Sequence, residues 1–142
     1  MRAALEAQAA DLGLDGTVEF CGALPPEQVI DRLDGSRCMV LPSRSEGVPR
    51  VVLEAMARAR AVVGARAGGT PELLEDGVTG LLVPPDDPDR LADALVQLLT
   101  DRDRADAMGA EGRRRALRRD PVAEYDAGTA RLAAWIAATG PG

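Results

Sequence analysis

The 142-residue sequence predicts an α/β fold in which a doubly wound parallel sheet is followed by C-terminal helices. Short apolar runs alternate with longer amphipathic stretches, which is the pattern of strands joined by crossover helices. The runs at 37–41 and 61–65 are apolar along almost their whole length, as expected for strands covered on both faces. Beyond Pro84-Pro85 every segment has the periodicity of a helix.

The elements of the N-terminal part follow from cap and turn residues. An Ala-rich stretch at 1–14 predicts a first helix, and Pro25-Pro26 begins a second one. Pro49 suits the first position of a third helix, which continues to about Ala59. Strands are predicted at 17–20, 37–41, 61–65 and 80–83.

The C-terminal part of the sequence contains three predicted helices. The first begins at Asp87-Pro88, an N-cap followed by proline, and the second covers about 101–119. The first has an apolar stripe formed by Leu91, Ala94, Leu95, Leu98 and Leu99. The third has an apolar stripe formed by Val122, Tyr125, Leu132, Trp135 and Ile136. We therefore expect a domain at 1–120 and a C-terminal helix and tail at 121–142. We also expect self-association through this helix, the open sheet edges, or both.

Composition argues against several classes of function. All 17 basic residues are Arg, and 23 acidic residues bring the net charge to −6, which argues against general nucleic-acid binding. Histidine is absent, so neither His-based acid–base catalysis nor a His metal site is expected. Cys21 and Cys38 are too few for a disulfide framework and are expected to be reduced thiols of a cytoplasmic protein. No segment resembles a signal peptide or a membrane span.

Two carboxylates separated by eight positions, Glu46 and Glu54, are the candidate functional residues. Glu46 lies in a loop after a predicted buried strand, and Glu54 lies inside the helix that follows. Open α/β sheets bind ligands at the carboxyl ends of their strands, and the free N–H groups of a helix start suit a phosphate. Glu54 could then bind a sugar diol, and Glu46 a second hydroxylated group or a developing positive charge. The competing interpretation is that Glu54 only pairs with Arg50 and Arg58 on a solvated face and that Glu46 is an ordinary loop carboxylate.

Three further features have both a structural and a functional interpretation. The acidic run at 86–89 is better explained by helix N-capping than by a metal ion, so no metal site is predicted. The five arginines at 113–119 form either a solvated helix end or a peripheral contact with anionic lipid. Gly68-Gly69 form either a tight turn or a point where the backbone approaches the crevice.

Three motifs in order resemble the donor-binding, C-terminal domain of family 4 retaining glycosyltransferases, which have the GT-B fold. They are Leu41-Pro-Ser-Arg-Ser-Glu-Gly-Val-Pro-Arg-Val-Val-Leu-Glu-Ala-Met-Ala57, Gly68-Gly-Thr-Pro-Glu72 and Gly77-Val-Thr-Gly-Leu-Leu-Val-Pro84. The resemblance covers about residues 5–119. It implies a partial Rossmann-like domain that binds a UDP-, GDP- or ADP-sugar and needs no cofactor or metal.

The resemblance also implies the roles of individual residues. In the family, the first glutamate of this E-x7-E motif contacts the donor sugar and the second binds the nucleotide ribose. Transferred by position, Glu46 is the catalytic residue that meets the sugar, and Glu54 is the ribose ligand. The remaining substrate-binding residues are Gly47, Val48, Arg50 and Val51, of which the last two meet the diphosphate through their N–H groups.

Two parts of the family's architecture are missing from the sequence. They are the N-terminal acceptor domain and the opening two strands of the donor domain, which bear a basic pair against the diphosphate. We therefore expect a fragment or one part of a split protein, unable to transfer sugar alone. We also expect a gap in the sheet between 17–20 and 37–41 that rearrangement closes or another chain fills. A non-catalytic nucleotide- or partner-binding module and an inactive remnant remain as alternative functions.

Overall fold

The helices and strands of the computed structural model follow the predicted order, with one strand fewer. The structure describes residues 2–118, so the expected C-terminal helix and its stripe around Trp135 lie outside the described residues. The strands are β1 (Cys38–Leu41), β2 (Ala61–Ala65) and β3 (Gly80–Val83). The helices are α1 (Arg2–Asp11), α2 (Pro26–Gly35), α3 (Arg50–Ala57), α4 (Thr70–Leu73), α5 (Pro88–Thr100) and α6 (Arg102–Ala116).

The described strands form one parallel sheet in the order β1-β2-β3. Cys38 pairs with Ala61 at the amino ends of β1 and β2, and Ala65 pairs with Val83 at the carboxyl ends of β2 and β3. These pairings confirm the predicted parallel strands at 37–41, 61–65 and 80–83. They also bring the carboxyl ends of all three strands to a single edge of the sheet, where the loops that lead into α3, α4 and α5 begin.

The chain divides into two units, residues 1–31 and 32–142. In the first unit the predicted strand at 17–20 is wrong, because this segment forms a turn. The N–H groups of Thr17 and Val18 both donate to the carbonyl of Leu14, at 3.0 and 3.2 Å. Backbone donors used in a local turn cannot pair with a neighbouring strand. The expected gap is therefore absent from the described sheet, in which β1 is an edge strand.

The core of the second unit lies between the sheet and its helices, and β2 is buried at every position. On one face, alternate residues of β2 and β3 pack against α5 and α6. This cluster comprises Ala61, Val63, Leu81, Val83, Ala94, Leu98, Ala105 and Met108. On the other face, a Cβ placed at Gly64 would overlap Thr70 and approach Leu74 closely, so α4 and the segment after it cover this position. Helices thus pack against both faces, as the fold class predicts.

The predicted stripe of α5 is confirmed in part. Ala94 and Leu98 are buried, and Leu91 and Leu95 are partly buried against the core. Leu99 is 56% exposed, so the stripe is one residue narrower than predicted. The side chain of Asp87 accepts a hydrogen bond from the N–H of Arg90 at 2.9 Å, which confirms the predicted N-cap.

Helix α3 ends two residues earlier than predicted. The N–H of Ala59 donates to the carbonyl of Met56, and the N–H of Arg60 donates to the carbonyl of Ala55, both at 2.9 Å. This pair of bonds is a Schellman motif, in which the residue after the cap adopts a left-handed conformation. Ala59 occupies that position with φ of 57°. The chain therefore reverses there and enters β2 at Ala61.

Candidate functional site

The carboxyl edge of the sheet holds three loops, at 42–49, 66–69 and 84–87. A pocket of about 370 Å³ opens between the first and third loops at this edge. It is lined by Pro42, Arg44, Ala65, Val83, Pro84, Pro85, Asp86, Asp87, Pro88 and Leu91. Glu46 belongs to the same loop as Pro42 and Arg44. None of the predicted site residues lines this pocket, but their loop and the start of α3 lie at the edge where open α/β sheets bind their ligands.

The backbone of the Glu46 loop is fixed by the glycine pair that follows β2. The N–H of Gly69 donates to the carbonyl of Glu46 at 3.0 Å. A Cβ at Gly69 would overlap the carbonyl oxygen of Gly47, and one at Gly68 would overlap the carbonyl oxygen of Glu46. Gly68 also has φ of 55°. The glycine pair therefore turns the chain and lets two backbones meet closely. The approach of the backbone to a ligand crevice stays a prediction.

The first turn of α3 presents N–H groups without a side-chain partner. Pro49 occupies the N-cap position with φ of −73° and ψ of 104°, and no side chain caps the helix in the described residues. The carbonyl of Pro49 accepts the first hydrogen bond of the helix, from the N–H of Val52 at 3.1 Å. The N–H groups of Arg50 and Val51 precede this bond and have no acceptor within the helix. These are the two donors that the resemblance assigned to a diphosphate.

Glu54 is the fifth residue of α3, and its side chain is exposed. In the described part of the chain it forms no ion pair with Arg50 or Arg58. Arg58 instead binds Asp34, with its Nε donating to Oδ1 at 2.6 Å and its Nη2 to Oδ2. The pairing of Glu54 with Arg50 and Arg58 that the competing interpretation expected is therefore absent from the described residues.

The predicted site residues all fall in one continuous loop and helix after β1. The side chains of Glu46, Val48, Arg50 and Glu54 are exposed, Gly47 is exposed too, and Val51 is half-buried. None of the three charged side chains, Glu46, Arg50 and Glu54, is buried in the core. The arrangement offers two carboxylate acceptors, one before and one after a short run of backbone donors, which is a set suited to a hydroxylated anion.

Sequence reasoning missed an ion pair that links the first and third loops. Arg44 Nε lies 2.5 Å from Asp86 Oδ1, and both residues line the pocket. Asp86 has φ of 59°, a left-handed conformation that Asp tolerates better than most residues. The available signal was the opposite charge of two residues that follow the carboxyl ends of β1 and β3, but the sequence analysis assigned Asp86 to helix capping.

The strand that leads into the site starts with a thiol. Cys38 is partly buried, and burial raises its pKa, with a smaller opposing effect from the nearby Arg37 charge.

The described residues contain no group of three or more His, Cys, Asp or Glu that could hold a metal ion. Residues 2–118 also contain no helix long and apolar enough to cross a bilayer.

The arginine-rich end of α6 is only partly solvated. Arg114 bonds Glu111 at 2.7 Å through Nε, and Arg115 bonds both Glu111 and Glu75. These bonds raise the pKa of Arg115 and lower that of Glu111. Contact of this segment with anionic lipid stays a prediction.

Three comparisons place these observations beside known proteins. The family model described as glycosyl transferases group 1 matches residues 1–115. A D-inositol 3-phosphate glycosyltransferase of Corynebacterium kroppenstedtii is 42% identical over 101 residues, which are 71% of this chain and 22% of that protein. A GDP-mannose-dependent alpha-(1-6)-phosphatidylinositol monomannoside mannosyltransferase of Mycobacterium tuberculosis is 37% identical over 110 residues, which are 72% of this chain and 29% of that protein.

The solved structures show the same fold. The crystal structure of HepE from Anabaena in complex with UDP and glucose superimposes with a TM-score of 0.81 and 27% sequence identity. The match covers 93% of this chain and 36% of HepE. The chain therefore spans less than a third of the length of the two curated relatives above and little more than a third of the solved one.

Proposed function

The chain belongs to the glycosyl transferases group 1 family, with the fold of GT-B glycosyltransferases, and from this membership we propose that it binds the nucleotide-diphosphate sugar used in retaining transfer. Support comes from the similarity to HepE, whose structure contains UDP and glucose. These residues would bind the donor, and sugar transfer is the reaction that this binding serves.

The observation on which the proposal rests is the start of α3, where uncapped backbone donors lie between two exposed carboxylates. A helix N-terminus has about half a positive charge and free N–H groups, so it suits a diphosphate. In the proposed complex the N–H groups of Arg50 and Val51 bind the diphosphate. They then stabilise the negative charge that gathers on the leaving diphosphate when its bond to the sugar breaks.

The two glutamates have separate roles in this proposal. A carboxylate accepts hydrogen bonds from two adjacent hydroxyls, so Glu54 holds the ribose diol of the nucleotide. Glu46 binds the sugar hydroxyls and stabilises the positive charge that develops on the sugar ring. The backbone of Gly47 and Val48 lies between the sugar and the diphosphate. Pro49 contributes no N–H, so the neighbouring residues supply the donors.

Calorimetric titration with UDP, GDP and ADP tests the proposal. We expect one of the nucleotides to bind the 142-residue chain, and Glu54→Gln to weaken that binding about tenfold or more, because a hydrogen bond to a charged group is lost. Glu27→Gln is the matched control, since it removes an exposed carboxylate from the first turn of α2. Absence of nucleotide binding, or equal weakening by both substitutions, would contradict the proposal.

Glu46→Gln separates the two carboxylate roles. If Glu46 contacts the sugar, the substitution should leave the affinity for UDP nearly unchanged and weaken the affinity for UDP-glucose, the donor built from the two molecules bound to HepE. Equal losses for UDP and UDP-glucose would mean that Glu46 acts on the nucleotide or on the loop itself.

A further inference from the structure

A second polar pocket lies at the opposite end of the strands from Glu46. Its volume is about 310 Å³, and its lining includes the residues directly before β1 and β2 and the first turns of α6. The charged groups in its wall are Arg37, Arg60, Arg102, Asp34 and Asp106. All of these residues belong to the second unit of the chain. The proposed donor site does not use any of them.

Both carboxylates of this amino-end pocket already have cationic partners. Asp34 is held by two hydrogen bonds from Arg58, which together with smaller effects of the Arg58 and Arg60 charges lower its pKa despite partial burial. Asp106 Oδ2 lies 3.6 Å from Arg102 Nε. Among the described residues, Arg37 and Arg60 form no ion pair with any carboxylate. The pocket therefore contains two cationic side chains, Arg37 and Arg60, that belong to neither of these ion pairs.

Of these two arginines, Arg60 is the one with a buried nitrogen that lacks an acceptor within residues 2–118. It is half-buried, and its Nη1 donates to the carbonyl of Ser36 at 3.0 Å, a neutral acceptor. Its Nε is buried and has no acceptor in the described part of the chain. Withdrawing a charged group from water is costly unless a counter-charge and hydrogen bonds replace the water. Among the described residues Arg60 has one neutral hydrogen bond, and the carboxylate that its charge affects, Asp34, is already bonded to Arg58.

We propose that the amino-end pocket binds a small phosphate-type anion, at a site separate from the donor site. Guanidinium groups match the oxygen geometry of phosphate and bind it through paired hydrogen bonds. Arg37 and Arg60 reach the pocket from the two segments that enter neighbouring strands, so one tetrahedral anion can contact both. The volume accommodates a phosphate group together with ordered water, of which each molecule takes about 30 Å³. Asp34 and Asp106 also lie in the wall. Each is paired with an arginine, Asp34 with Arg58 and Asp106 with Arg102, and this pairing offsets its repulsion of an anion.

Titration of the 142-residue chain with inorganic phosphate, followed by amide NMR, tests the site. Ionic strength is held constant with sodium chloride so that screening does not change. We expect shifts at 34–37, at Arg60 and at 102–106. We expect Arg60→Gln and Arg37→Gln each to weaken phosphate binding about tenfold or more. Arg104→Gln is the matched control, because it removes an exposed arginine of α6 that does not line the pocket.

The outcomes separate this site from the donor site. Shifts confined to 46–54 would place phosphate at the start of α3 and overturn the inference, whatever the result of the nucleotide titration. Equal weakening by Arg104→Gln would show a general charge effect and would overturn it too. Arg37→Gln gives an independent answer if Arg60→Gln fails to fold, since Arg37 makes no hydrogen bond or ion pair within the described residues.

Discussion

At the scale of single residues, Gly69 has the most constrained environment near the candidate site. A Cβ there would overlap the carbonyl oxygen of Gly47, and backbone cannot move aside as a flexible side chain can. We expect Gly69→Ala to lower the free energy of unfolding by roughly 1–3 kcal/mol, the usual cost of overpacking. It should also weaken nucleotide binding, because the Glu46 loop is displaced. Urea denaturation and calorimetry measure the two effects.

Gly35→Ala is the matched control for this substitution. A Cβ at Gly35 meets no atom within 4 Å, and Gly35 does not have a positive φ. The control variant should be as stable as the parent chain or slightly more stable, since alanine restricts the unfolded chain. A Gly69→Ala variant of parental stability would show that the two loops separate easily.

Ala59 is a residue at which the natural sequence is not the most stable choice. It has φ of 57°, a conformation that costs an L-residue with a Cβ about 1 kcal/mol and glycine almost nothing. We therefore expect Ala59→Gly to raise the free energy of unfolding by about 1 kcal/mol, offset in part by the greater freedom of glycine in the unfolded chain. Ala57→Gly, at the last helical position of α3, should lower it by up to about 0.5–1 kcal/mol. If Ala59→Gly and Ala57→Gly were both more stable than the parent chain, or neither were, the assignment of the Schellman motif would be refuted.

The same residue shows why the end of α3 could not be predicted. Alanine has the highest helix propensity, so the sequence favours continuing the helix through Ala59. The actual end is set by tertiary contacts: a Cβ at Gly109 of α6 would overlap the carbonyl oxygen of Ala59, and β2 begins at Ala61. Contacts between residues far apart in sequence outweighed a local preference here.

At the scale of elements, the ion pair of Asp34 and Arg58 ties the end of α2 to the end of α3. Hydrogen bonding to Arg58 lowers the pKa of Asp34 below its usual 3.8. A lowered pKa means that the stabilisation is fully present above the pKa of the unfolded chain and is lost as pH falls through the folded value. We expect the stability difference between the parent chain and Asp34→Asn to be constant near neutral pH and to shrink in acid, below about pH 4.

Urea unfolding of both proteins across the acid range measures this difference. Asp93→Asn is a suitable control, because Asp93 is exposed on α5 and forms no ion pair in residues 2–118. A difference between the parent chain and Asp34→Asn that persists unchanged at the lowest pH would mean that the interaction does not depend on the charge of Asp34.

Three of the four predicted strands are present and the fourth, at 17–20, is not, for a physical reason. The runs at 38–41, 61–65 and 80–83 are apolar and pair with one another, so local pattern and tertiary context agree. The run at 17–20 has residues of high β-propensity, but its donors bond Leu14. A strand exists only where another strand pairs with it, and propensity does not report that.

The candidate site was predictable to a similar extent. The spacing of Glu46 and Glu54 and the proline before α3 placed the carboxylates before and inside one helix, because both signals are local. The contact of Gly69 with the Glu46 loop and the pair of Arg44 with Asp86 depend on how neighbouring loops meet. The register of the sheet determines how these loops meet, and the sequence of either loop alone does not reveal that register.

At the scale of the whole molecule, the two units differ in how much of each is buried. Helix α1 in the first unit has no buried residue, whereas all five residues of β2 are buried. Local opening requires less free energy where few contacts are broken. We expect the amides of α1 to exchange with deuterium orders of magnitude faster than those of β2, measured by mass spectrometry of peptic fragments. Equal protection of the two segments would show that the chain opens as one cooperative body.

The bond between Gly69 and Glu46 has a consequence for how this site can change over evolutionary time. It joins one main-chain N–H to one main-chain carbonyl, so every amino acid at position 46 can provide the acceptor. A gene library randomised across codons 43–48, with Gly68 and Gly69 kept, should therefore yield mostly folded proteins. If the loop binds the donor sugar as proposed, the selectivity for sugars should vary among them while the path of the loop persists. New donor preferences would then arise by single point mutations in this loop, without a compensating change elsewhere.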